Sequence, residues 1–311
     1  MARCLSPWRK GPSVVAYVVE ALDDVSVGGV PVVDGMDLMS PFVWADGGTL
    51  RILLRVVPNP LGPHDPTGLV YAGASRDGLH FDLDSRPALT PGPDAADAGG
   101  CEDPTVVQRA DGSYAVYFTG VDAARAQGSM LVAEGPTLTT LTKRAVVLQA
   151  PPGEGNIKEA TLAQARDGTW RLFYEYAREN ASRIGVAGSH ADCGPWTSVN
   201  DPFDVRDDSW DNWHLSTGPI VQLPGRDPVM FYNGATADAR WRIGWVAFDR
   251  DFERVTARGI EPLIMPPPPR DRAATDIAFA ASAIVAQDGR IHLYYSLEDR
   301  RLARAIVRCY D

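Results

Sequence analysis

The stretch CEDPTVVQRADGSYAVYFTG, Cys101 to Gly120, decides the fold. Two acids and a proline open it, the apolar run TVV follows, Asp111-Gly112 turns the chain, and YAVYF returns as a second strand. Asp and Gly tolerate the positive φ of a tight turn, so the stretch reads as a β-hairpin. Four other segments have the same layout: DLMSPFVWADGGTLRILLRV from Asp37, KEATLAQARDGTWRLFYEYA from Lys158, STGPIVQLPGRDPVMFYNGA from Ser216 and AFAASAIVAQDGRIHLYYSL from Ala278. Asp-Gly recurs at 46, 111, 167 and 288, with Gly225-Arg226-Asp227 in the equivalent place, a spacing of 56 to 65 residues.

A third strand follows each hairpin, in GLVYAGASRDGLHF, SMLVAEGPTL, RIGVAGSHADCGPW, RIGWVAFDRDFERV and RLARAIVRCYD. A short extended piece in each spacer would complete four strands. Five such units at this period predict an all-β protein, a five-bladed β-propeller forming a single domain over residues 1–311, with blade starts near 37, 102, 158, 216 and 278. The N-terminal run SVVAYVVEA has strand character and is expected to supply the outer strand of the last blade. Proline-rich stretches such as PNPLGPHDP and MPPPPR exclude long helices.

With 311 residues and 45% hydrophobic content, the chain can bury a large core. A net charge of -10 and the lack of any Lys/Arg run argue against a nucleic-acid partner. Cys4, Cys101, Cys193 and Cys309 are far apart and show no CxxC or Cys/His spacing, so neither disulfides nor a metal site is expected, and no cofactor is implied. No apolar run reaches the length of a membrane helix, and Val14 to Val19 is too short for a secretion signal. A cytoplasmic protein with an oligosaccharide partner and no membrane partner is the expectation, with homo-oligomerisation left open.

In a propeller the first strand of every blade lines the central channel, so residues at the strand starts meet near one mouth. Those residues are Asp37, then Glu102 and Asp103, then Lys158 and Glu159, then His214 and Ser216. Two carboxylates facing each other across a pocket, one protonated and one ionised, are what glycoside hydrolysis requires. Trp44, Trp213, Tyr232 and Phe279 are among the aromatics available to cover sugar faces. The loop RDDSWDNWHLS, Arg206 to Ser216, is expected to form a wall of that mouth.

EDPTVV followed by DGSYAVYFTG resembles the second-blade motif of glycoside hydrolase family 130, the mannoside phosphorylases and mannosidases. The resemblance continues in GASRDGLHF with PALTP, in RIGWVAFDRDFERVTARGIEPLI and in FAASAIVAQDGRIHLYYSLED, covering about Asp37 to Val307. It implies the propeller fold, a β-mannoside or related oligosaccharide as substrate, and Asp103 as the catalytic acid, working through a sugar hydroxyl. It places Arg55 and Asp299 at positions similar to sugar contacts.

The chain departs from the phosphorylase pattern where phosphate would be held. Thr105 follows the proline in place of arginine, YNG puts Asn233 where a histidine is usual, and FYEYA puts Glu175 where a His-Arg pair is usual. A phosphate site needs cations or several N–H donors, and an acid repels the anion. The expectation is therefore inverting hydrolysis, with Glu159 or Glu175 activating water. A phosphorylase using other ligands and a sugar-binding propeller without catalysis are the alternatives. Asp37, Arg55, Trp44, Lys158, Trp213, His214, Tyr232, Asn233 and Asp299 complete the expected substrate-binding set. A weaker resemblance, to the propellers of families 43 and 32, would make Asp37 base or nucleophile, Asp103 an orienting acid and Glu159 the general acid.

Overall fold

Each repeated segment folds as antiparallel strands in a computed structural model that describes residues 16–29, 33–150, 154–268 and 275–310. No α-helix occurs among them. The second repeat runs Gly100–Gln108, Tyr114–Val121, Gly128–Gly135 and Thr142–Leu148, hydrogen-bonded in that order, and the third runs Gly155–Gln164, Trp170–Arg178, Ala181–Ser189 and Thr197–Ser198. In the first repeat Asp37–Asp46, Thr49–Val57, Leu69–Ser75 and His80–Leu89 pair likewise. The glycines of the expected turns, Gly47, Gly112, Gly168, Gly225 and Gly289, all have positive φ, which is why glycine recurs there.

The fourth repeat is interrupted. Its first strand stops at Ser216 and resumes at Ile220, so the repeat splits into sheets of three and four strands. Gly218 sits in the gap, where a Cβ would meet the Phe231 carbonyl oxygen at 1.8 Å, and Pro219 beside it has no N–H for a ladder.

The last repeat contributes Ala278–Val285, Ile291–Leu297 and Arg301–Tyr310. Its outer strand is Ala16–Gly28, which pairs antiparallel with Arg301–Tyr310 and then runs parallel to His80–Leu89 through Ser26, Val27 and Gly28. The first and last repeats thereby join into one eight-stranded set. This is the strand expected from SVVAYVVEA; its first residues, Ser13 to Val15, lie outside the described residues, as does Cys4. Arg304 to Asp23 at 2.8 Å adds an ion pair to the seam.

Successive repeats pack face to face. The first strands of the first and second repeats touch, then second and third, third and fourth, fourth and fifth, and the fifth touches the first. Separate apolar clusters fill each of these junctions. Tyr117, Phe173, Phe231 and Tyr294 are wholly buried in them, and each such side chain contributes about 1.5–3 kcal/mol by leaving water. Cys101, Cys193 and Cys309 are free thiols.

Candidate functional site

Near the start of the first strand of the first, second, third and fifth repeats the ladder slips. The slips fall between Met39 and Phe42, Glu102 and Thr105, Lys158 and Thr161, and Ala280 and Ser282. Within the bulges Ser40, Asp103 and Glu159 have φ of 50°, 49° and 53°, the left-handed region that non-glycine residues rarely enter. The bulge turns these side chains off the sheet face. Ser40, Asp103, Glu159, Thr217 and Ala281 all line one small cavity, with solvent room of about 10 Å³, enough for a single water.

The rim is stitched by side-chain hydrogen bonds from repeat to repeat. Ser40 Oγ donates to Asp103 Oδ1 at 2.7 Å, Thr105 Oγ1 to the Ala160 carbonyl at 2.6 Å, and Thr161 Oγ1 to the Gly218 carbonyl at 3.0 Å. Asn233 Nδ2 donates to the Ala280 carbonyl at 3.1 Å, and Ser282 Oγ to the Pro41 carbonyl at 2.7 Å. The links pass from the first repeat to the second and onward until the fifth returns to the first.

Arg55 crosses behind this rim. Its Nη1 donates to Asp103 Oδ1 at 3.2 Å, its Nη2 lies 2.7 Å from Glu102 Oε1, and Nε and Nη2 both donate to the Thr67 carbonyl. Lys158 Nζ meets the other oxygen of Glu102 at 3.3 Å. Glu102 and Asp103 are almost fully buried, so these charge-assisted contacts are little screened. Burial opposes the charge on Arg55, but Glu102, Asp103, Asp299 and Glu159 more than offset it and hold its pKa up. Lys158 is also raised: burial opposes its charge, and Glu102, Asp103 and Glu175 outweigh that.

Three further acids lie within electrostatic reach of these groups. Desolvation pushes Glu159 well above the usual carboxylate range, and the Asp103 and Glu175 charges push it the same way. Glu175 is raised by desolvation, although Ser182 Oγ donates to its Oε1 at 2.8 Å. Asp299 is raised by desolvation as well, with Arg55 opposing. Desolvation, with repulsion from neighbouring carboxylates, is thus what raises the proton affinity of Glu159, Glu175 and Asp299.

His214 is linked to Glu175 through Ser182, which contacts both. The Ser182 backbone N–H donates to His214 Nδ1 at 3.0 Å, and burial together with Arg183 keeps the imidazole pKa below its usual value. Trp213 is 41% exposed. Asp37 lies further out, accepting from Asn59 Nδ2 at 2.9 Å and lying 3.6 Å from Arg300 Nε.

Three expected contacts are corrected. Trp44 is near the turn end of its strand, packed against Phe42 and Tyr114 between the first and second repeats. Tyr232 is fully buried, with its ring on Trp210 and its hydroxyl donating to Asp211 at 2.6 Å. Asn233 is fully buried and spends its amide on Thr217 and Ala280, accepting from the Ala280 N–H at 2.7 Å. None of the three faces the cavity.

Ser40, Ser182 and Thr217 touch these acids or line the cavity and were absent from the expected set, while Glu102 was expected at the mouth only as a strand-start residue. Ser40-Pro41 set against Asp103-Pro104 was the signal for the first of these.

No protein-family model matches the chain, and no curated protein matches it. Solved structures do. A β-1,2-mannobiose phosphorylase from Listeria innocua superposes with a TM-score of 0.72 at 19% identity, covering 89% of this chain and 91% of that one. A structure described under the GH130 family of mannoside phosphorylases, as containing glycoside hydrolases that target β-1,2 mannosidic linkages in Candida mannan, superposes with a TM-score of 0.73 at 22% identity, covering 87% and 84%. The chain shares the fold of family 130 enzymes. A glycoside hydrolase-like structure from Parabacteroides distasonis agrees, with a TM-score of 0.74 at 20% identity over 87% and 86% of the two chains.

Proposed function

We propose that the chain is a single-domain, five-bladed β-propeller glycosidase that hydrolyses β-mannosides or related oligosaccharides with inversion. The blade count rests on the five repeats, the contact of each first strand with the next, and the hydrogen-bonded rim. The observation that carries the function is the gathering of Asp103 and Glu159 from different repeats on one cavity, with Arg55 fixing Asp103 and Glu175 close enough to influence both.

In this reading Asp103 supplies the proton taken up by the glycosidic oxygen as its bond to the anomeric carbon breaks. Water attacks the opposite face of that carbon and gives its proton to a second carboxylate. Glu175 suits that part, because a raised pKa makes a carboxylate a stronger base once ionised. Glu159 faces the same cavity as Asp103 and serves as the alternative base or as the reserve that returns a proton to Asp103. Arg55, Lys158 and Asp299 hold sugar hydroxyls and set the charge of the site.

Hydrolysis is favoured over phosphorolysis because the substituted positions offer no anion site. The Thr105 hydroxyl and the Asn233 amide are both committed to backbone partners, and Glu175 adds an acid. The test is β-1,2-mannobiose with and without inorganic phosphate, followed by NMR. Phosphate-independent release of mannose, first seen as the inverted anomer and abolished by Asp103→Asn, is expected. Mannose 1-phosphate would overturn hydrolysis, and binding without cleavage across a mannoside panel would leave a sugar-binding module.

A further inference from the structure

Three rings run along the mouth beside the acids. His214 opens the first strand of the fourth repeat, Trp241 its third strand, and Phe279 lies in the first strand of the fifth. Ring centroids are 5.4 Å apart between His214 and Trp241 and 5.3 Å between Trp241 and Phe279, and all three side chains are partly exposed. Both ends of the row are tied to the acid cluster. At one end Ser182 contacts His214 through its N–H and Glu175 through its hydroxyl; at the other, Phe279 immediately precedes Ala280 and Ala281 of the cavity wall. The backbone under Trp241 is held by its N–H bond to the Asp276 carbonyl at 3.1 Å and by the Arg240–Asp276 ion pair at 2.8 Å.

We propose that this row is the subsite for the leaving-group sugar, and that it selects a pyranose with one face made only of C–H groups; this rests on the glycosidase reading above. The cavity between Asp103 and Glu159 has room for little more than a water, so a sugar held over them cannot go deeper. A second ring joined to it must extend along the mouth, and the aromatic row is a surface there of the right chemistry. A C–H face lying on such rings gains dispersion and the attraction of C–H dipoles to the ring face. The neutral imidazole of His214, whose Nδ1 is already an acceptor, leaves Nε2–H to donate to a hydroxyl on that sugar.

The experiment compares Trp241→Ala and Trp241→Phe with the wild type on β-1,2-mannobiose and on β-mannosyl fluoride, which has no leaving-group sugar. Expected for Trp241→Ala is about a tenfold rise in KM for the disaccharide with kcat changed less than threefold, partial recovery in Trp241→Phe, and kcat/KM for the fluoride within twofold. Equal loss on both substrates would place the row elsewhere and overturn the proposal, as would no loss on either. Melting curves of both variants separate these outcomes from misfolding. Calorimetric titration of mannobiose keeps the two readings distinguishable: if the wild type cleaves nothing but binds mannobiose through Trp241, the enzyme reading fails and the subsite stands. Equal binding by wild type and Trp241→Ala overturns the subsite alone.

Discussion

Ser40 holds in the first repeat the position that Asp103 holds in the second, and its hydroxyl donates to that carboxylate at 2.7 Å. Both residues sit at positive φ in matching bulges, so the backbone that aims the acid at the cavity also aims the hydroxyl at the acid. A buried side-chain hydrogen bond contributes about 0.5–1.5 kcal/mol net, and this one fixes where the Asp103 carboxyl points. Ser40→Ala is expected to lower kcat for mannoside cleavage about tenfold with KM little changed, and Ser40→Thr, which keeps the hydroxyl, to recover part of the loss. A lower melting temperature with kcat unchanged would mean that Ser40 acts only on stability.

Arg55 touches both Glu102 and Asp103 with less than a fifth of its side chain exposed. Removing one member of a buried charge cluster leaves the others uncompensated, at a cost of about 3–5 kcal/mol. Arg55→Ala is therefore expected to lower unfolding free energy by that order, as measured by urea denaturation. Adding Glu102→Gln should return part of the loss, since one of the stranded charges is then gone. Strict additivity of the two substitutions would contradict the pairing.

How far the sequence could be read depended on loop length. The repeat period, the turn glycines and the closing N-terminal strand were all visible, because each depends on local chemistry: positive φ at Asp-Gly and alternation in the strands. The first acid was not. In the second, third and fifth hairpins the loop spans five residues, as in Arg109 to Ser113, so the Asp-Gly pair lies beyond the last paired residue. In the first hairpin Asp46 pairs directly with Thr49, and only Gly47 and Gly48 turn. Counting back from Asp-Gly by the distance that separates Asp111 from Glu102 thus lands on Asp37, whereas the register that Glu102 occupies is held two residues on by Met39, with Ser40 next to it. Which face a tyrosine or asparagine takes is also set by register, and that is why Tyr232 and Asn233 read as site residues while they pack or bridge inside the fold.

Asn233 bridges the fourth and fifth repeats through bonds to Thr217 and Ala280, all buried. Its truncation would strand a backbone N–H and two carbonyls, each at about 1–3 kcal/mol. Asn233→Ala is expected to lower unfolding free energy by several kcal/mol, seen as an earlier denaturation midpoint. Affinity for phosphate should not change, since the amide faces no ligand; a phosphate-binding change without loss of stability would restore the position to the site.

Glu159, Glu175 and Asp299 all have pKa values raised by desolvation in the folded chain. A carboxyl whose pKa is higher folded than unfolded binds more protons in the native state between the two values, so stability falls as pH rises across that interval. The contribution is fully present below the ordinary carboxylate value of 4.5 for glutamate and is lost as pH climbs through the raised one. Each unit of separation corresponds to about 1.4 kcal/mol. Glu159→Gln removes the ionisation with the most strongly raised pKa of the three. Its unfolding free energy should therefore fall less than that of the wild type between pH 5 and pH 8, so the two curves converge or cross toward the alkaline side. Urea titrations at fixed ionic strength read this directly. Parallel curves, or a wild type that grows more stable relative to the variant as pH rises, would mean that Glu159 is ionised in the free protein and that the site holds no stored proton there.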